Sequence, residues 1–122
     1  MGKPFSVAAR LRSFGYASAG LWRVLRHEHN AWVHAVATVA VVVAGFVLKV
    51  SAADWRWLVV AMVAVWVAEC FNTALECLAN AVSPDTHPLI KAAKDIAAGA
   101  VLITAIGAAV IGVLVFWPYL CD

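Results

Sequence analysis

Two carboxylates and a carboxamide, Glu69, Asn72 and Glu76, sit inside an otherwise apolar run, WLVVAMVAVWVAECFNTALECLAN, over residues 57–80. At roughly 100° per residue in a helix their side chains fall within about 60° of one another, so they form a single polar stripe. An acidic side chain at the centre of a membrane helix costs about 2.5–3.5 kcal/mol on insertion scales, and each carboxylate must be met by a proton, a cation or a basic side chain. Asn72 alone would serve as adhesion between helices. Two carboxylates on the same face point further, to a functional site.

Two other polar groups stand out. In RHEHNAWVH, residues 26–34, Glu28 lies among His27, His29 and His34. His27 and His29 are two residues apart and would point in different directions from a helix, so the histidines read as interfacial polar groups rather than metal ligands. The second group is Lys94-Asp95, just before the last apolar stretch. Carboxylates and an amide oxygen are hard ligands suited to Mg²⁺, which is commonly held by one or two carboxylates together with substrate phosphates. A further carboxylate in apolar surroundings could take a proton from an alcohol, and a lysine could neutralise phosphate oxygens. The set suits phosphoryl transfer, yet neither GxxxxGK[ST] nor GxGxxG occurs, so a nucleotide site would be built another way.

The elements that must position these residues follow from composition. Of 122 residues 65% are hydrophobic and 13% charged, which predicts one small all-α integral membrane domain over residues 1–122. Residues 5–29 alternate arginines with Phe5, Leu11, Phe14, Leu21, Trp22 and Leu25, the pattern of an amphipathic helix lying on the membrane surface. Three transmembrane helices are expected over 31–50, 57–80 and 96–117, each long enough for a hydrocarbon core about 30 Å thick. Lys49, Asp54 and Arg56, with Trp55 and Trp57, are read as a polar turn with an aromatic belt, Pro84 and Pro88 as breaks between spans two and three, and Pro118 as the end of span three. Small residues from Ala97 to Ala109 would allow close helix approach and self-association. Cys70, Cys77 and Cys121 have neither zinc nor disulfide spacing.

The basic residues set the expected orientation. The N-terminal segment and the second linker hold Lys3, Arg10, Arg12, Arg23, Arg26, Lys91 and Lys94, against Lys49 and Arg56 elsewhere, which predicts a cytoplasmic N-terminus. Glu28, Glu76, Lys94 and Asp95 then lie near one leaflet, and Asp122 outside. A net charge of +2 offers nothing for nucleic acid.

The pattern E-x-x-N-x-x-x-E from Glu69 to Glu76, followed by AKDIAAGAVL at 93–102, resembles the small three-span bacterial membrane kinases of the diacylglycerol kinase and undecaprenol kinase family. The likeness runs over nearly the whole chain. It implies a homotrimeric helical bundle with active sites shared between subunits, multi-pass in the bacterial inner membrane, with ATP and Mg²⁺ as cosubstrate and cofactor and a membrane lipid alcohol as acceptor. By resemblance Glu69 is the general base, Glu28 and Glu76 bind the metal, and Glu28, Asn72, Glu76, Lys94 and Asp95 form the nucleotide and catalytic site. Asn80 departs from the family, which usually has an acidic residue there, and Arg10 and Arg12 only approximate a family arginine. The run from Glu28 to His34 and the AAGAVL after Asp95 look more like the undecaprenol kinase branch; the diacylglycerol branch typically has an acidic residue at the position of His34. The rival reading from another class is a small proton-coupled multidrug transporter built on an intramembrane Glu. Such chains resemble four spans, whereas three are counted here.

Overall fold

The computed structural model describes residues 2–83 and 85–121, so Pro84 and Asp122 lie outside the described residues. Four helices follow in order: α1 (Val7–His27), α2 (His29–Val47), α3 (Ala52–Val82) and α4 (Pro88–Leu120). The protein is an all-α membrane protein, with α2, α3 and α4 each long and apolar enough to cross a bilayer. At 1.5 Å per residue α3 and α4 are about 46 and 50 Å long, so both project beyond a hydrocarbon core of about 30 Å.

Three of the four helices, α1, α3 and α4, begin on a side chain that meets an orphan amide. Ser6 Oγ accepts from the Ala9 amide at 3.2 Å, Ser51 Oγ from Asp54 at 3.1 Å, and His87 Nδ1 from Leu89 at 3.2 Å. The cap at Ser6 starts α1 two residues later than the expected surface helix, leaving Phe5 outside. Glu28 ends it, because its backbone is extended (φ −99°, ψ 118°) and the chain turns there into α2. Trp32 reaches back over this corner, its Nε1 donating to the Leu25 carbonyl at 2.7 Å, and thereby sets how α1 leaves the bundle. Along α1 only Val24 is buried, so its apolar residues and arginines remain free for a membrane surface.

The first span ends earlier than residue 50. The Val50 amide donates to the Gly45 carbonyl at 3.1 Å and the Lys49 amide to the Phe46 carbonyl at 3.3 Å, with Lys49 at φ 54°. This is the left-handed C-terminal cap that glycine usually fills, here occupied by lysine at a cost of about 1–2 kcal/mol. Lys49→Gly is therefore expected to raise the thermal midpoint in detergent by a few degrees; an unchanged or lower midpoint would contradict the strain. Asp54, Trp55 and Arg56 lie in the first turns of α3 rather than in a loop, because Ser51 caps the helix before them. Gly45 allows this corner to close: the Trp55 ring stands 2.5 Å from where a Cβ at residue 45 would be.

The last helix also differs from expectation, since it runs through Pro118 to Leu120. Proline removes a single amide donor within the final turn, and the turn is held from outside. Tyr119 Oη donates to Asp54 Oδ2 at 2.6 Å and accepts from the Ser51 amide at 3.0 Å. A hydrogen bond to a charged group contributes about 1.5–3 kcal/mol, so Tyr119→Phe is expected to lower stability by that order, read as a lower unfolding midpoint with helix content retained. Beneath this clasp Val50, Leu58 and Val115 form the buried core, with Trp55, Met62 and Phe116 against it.

The bundle is organised around α3, which packs along α4 and less extensively on α2. A groove of about 350 Å³ remains between the three helices, lined by Val41, Leu58, Met62, Ala108 and Phe116 and reaching His34 and Thr38. The three cysteines are free thiols, as their spacing predicts.

Candidate active site

Most of the buried surface of α3 is apolar and small, but its middle carries Glu69, Asn72 and Thr73, all buried, with Glu69 at 0% exposure. Among the described residues, three of their polar atoms, Glu69 Oε1, Asn72 Oδ1 and Thr73 Oγ1, have no hydrogen-bond partner. A buried orphan acceptor costs about 1–3 kcal/mol, so three on one short stretch mark a place built for something other than stability.

The other oxygen of Glu69 is engaged. His34 Nε2 on α2 lies 3.2 Å from Glu69 Oε2, with the imidazole 13% and the carboxylate 1% exposed. The ring of His34 meets the edge of Trp66, with centroids 6.1 Å apart. Trp66 Nε1 donates to Thr38 Oγ1 at 3.0 Å, and Thr38 in turn donates to the His34 carbonyl at 2.7 Å. The polar stripe of α3 is thus met by a second stripe on α2, Asn30, His34 and Thr38, spaced four residues apart and so on one helical face. Read singly, His34 passes for an interfacial group; read with Asn30 and Thr38, its period of four is the signal that it faces another helix. Thr73 carries no comparable signal, because threonine is ordinary filler between membrane helices.

Between α2, α3 and α4 a polar hollow of about 320 Å³ is lined by Asn30, His34, Asn72 and Glu76, with Ala98, Val101 and Ala105 on the α4 side. Small α4 residues leave this space open. Asn72 and half-buried Glu76 therefore share one cavity, and Glu69 stands one turn from Asn72 on the same helix. Glu28 is half-buried at the corner between α1 and α2, at the same end of the bundle, and makes no side-chain cap bond. Lys94 is one step removed: its Nζ donates to Asn80 Oδ1 at 2.6 Å, one turn past Glu76, and it borders a separate hollow of about 300 Å³ with Ser83, Asp85, His87 and Lys91. Asp95 is exposed and accepts from Lys91 Nζ at 2.6 Å, away from Glu69. Asn80, where this chain departs from the family pattern, thus supplies a neutral acceptor to Lys94.

Among the described residues no three His, Cys, Asp or Glu side chains gather closely enough to enclose a metal ion. The donor set nonetheless fits Mg²⁺. The unpartnered Asn72 Oδ1 and the Glu76 carboxylate line one hollow and are hard oxygen donors, and Mg²⁺ asks for only a few of these when phosphate oxygens complete its shell.

A three-span helical membrane protein whose buried carboxylate is paired to a histidine beside a polar hollow has the makings of a membrane-embedded enzyme. Residues 15–116 match the model of the family described as prokaryotic diacylglycerol kinase, and the chain belongs to that family; it is a lipid kinase. It is similar to an undecaprenol kinase of Bacillus subtilis (strain 168), with 38% identity over 109 residues and 89% of each chain covered. A diacylglycerol kinase of Synechocystis sp. is also 38% identical over 109 residues, covering 88% of this chain and 62% of that one. A diacylglycerol kinase of Escherichia coli (strain K12) is 28% identical over 109 residues, with 89% of each covered. Membership in a kinase family sets the transporter reading aside.

Proposed function

We propose that this chain, as a single kinase domain, transfers the γ-phosphoryl group of Mg-ATP to the hydroxyl of a membrane lipid alcohol at the cytoplasmic face of the bacterial inner membrane. A polyprenol such as undecaprenol is the first acceptor to test and diacylglycerol the second. The observation that carries the reading is Glu69: fully buried, with one oxygen bonded to His34 and the other without a partner. A carboxylate so placed is a base in wait of an alcohol proton.

In this reaction Glu69 removes the hydroxyl proton while the alcohol oxygen forms a bond to the γ-phosphorus. The bond from that phosphorus to the oxygen bridging the β- and γ-phosphates breaks, and ADP leaves. Glu28 and Glu76 would hold Mg²⁺, which supplies neutralisation of the triphosphate charge when bound. Asn72, which borders the same hollow as Glu76, orients the nucleotide; Lys94 and Asp95 serve its outer end once Lys94 exchanges Asn80 for phosphate oxygens. The small residues along α4 support assembly as a homotrimer with sites shared between subunits. The excess of Lys and Arg at the end that carries Glu28 and Lys94 supports a cytoplasmic N-terminus.

Labelled ATP presented with the purified protein and a panel of polyprenols and diacylglycerols tests the proposal. Label is expected in the lipid fraction and only with Mg²⁺ present. ATP consumption without labelled lipid would contradict it.

A further inference from the structure

His34 belongs to none of the roles above, yet among the described residues it is the one side chain hydrogen-bonded to the proposed base. Its Nε2 sits 3.2 Å from Glu69 Oε2, and it borders both the apolar groove and the polar hollow. Any acceptor whose chain lies in the groove and whose hydroxyl reaches the hollow passes His34. The imidazole is also held from behind. The edge of Trp66 packs on it, and Thr38 ties its backbone carbonyl to Trp66. Such support is more than a buried carboxylate needs to find a single donor.

Resting on the kinase reading and on Glu69 as base, we propose that His34 is the positioning residue of the reaction. Its Nε2–H donates to Oε2, fixes the plane of the carboxylate, and leaves Oε1 as the oxygen without a partner, presented to the alcohol proton. The buried Oε1 without a partner is the counterpart of that arrangement. His34 takes no proton from the substrate; it decides which oxygen does, and where that oxygen stands when the hydroxyl arrives. A misplacement of about 1 Å in such a group is enough to cost on the order of 100-fold in rate.

Geometry separates this role from packing. A glutamine at position 34 carries an amide N–H about where the imidazole Nε2–H stands, whereas an asparagine amide stops near Nδ1 and falls short of Oε2. The experiment compares His34→Gln, His34→Asn and His34→Leu with wild type and Glu69→Gln, measuring kcat and KM for ATP in mixed micelles and binding of a fluorescent ATP analogue. Expected are a His34→Gln kcat within about threefold of wild type, and losses of about 10- to 100-fold in kcat for His34→Asn and His34→Leu, with KM for ATP and analogue binding within about twofold. Should His34→Leu fail to assemble, His34→Asn carries the comparison alone, since it keeps a polar side chain of smaller volume. Equal kcat in His34→Asn and wild type would overturn the proposal, as would a His34→Gln protein no better than His34→Asn. A fully active Glu69→Gln would instead overturn the kinase-base reading itself, and the two failures are thereby told apart.

Discussion

Glu69→Gln is expected to lower kcat by about 10²–10⁴-fold while ATP still binds, because the amide has the shape of the carboxylate but cannot take up a proton. The glutamine carbonyl oxygen can still accept from His34 Nε2–H, so the contact between α2 and α3 survives. Removing a carboxylate from the hydrocarbon region should leave thermal stability equal to wild type or raise it, since the acidic side chain was costly there. Loss of activity with gain of stability is the opposite of what a structural glutamate would give. Ordinary kcat in a mixed-micelle assay would remove Glu69 from the role of base.

The second large effect is expected from Glu76→Gln, read in a Mg²⁺ titration of activity. A carboxamide at this position keeps one neutral oxygen donor but loses the charge. Replacing even an outer-sphere group around a metal commonly costs 10–100-fold in affinity, so loss of a carboxylate ligand should move the Mg²⁺ midpoint upward by about 10-fold or more. At saturating Mg²⁺ the rate should largely return, which distinguishes a metal ligand from the base at Glu69. An unchanged Mg²⁺ titration would exclude Glu76 from the metal site. Lys94→Ala and Asp95→Asn should have their main effect on KM for ATP, because neither side chain touches Glu69 in the structure.

The stripe on α3 was legible in the sequence because carboxylates are costly in hydrocarbon and two of them on one face, two turns apart, admit few explanations. Its partner was not, because a histidine at the edge of a span is commonplace and only the spacing of Asn30, His34 and Thr38 together reveals a face. The number and type of helices followed from apolar length. Their ends did not, because local backbone chemistry decides them. A lysine in a left-handed cap stops α2 at Val47, and a serine cap draws Asp54 and Arg56 into α3. An external clasp lets α4 continue through Pro118. The hollows were beyond reach for another reason. Ala98 and Ala105 read as surfaces for close approach, and only the actual separation of α2 from α4 shows that space remains beside them.

The bond from Tyr119 to Asp54 and Ser51 lies at the end of the bundle remote from Glu28, Asn80 and Lys94. Like the rivet of a pair of tongs, it pins the last turn of α4 to the start of α3, at the end opposite the short link between Val82 and Pro88 that joins the two helices. The pair of α3 and α4 is thus held at both ends, by the chain itself at one and by the clasp at the other, so that α4 keeps its register along the buried stripe of α3.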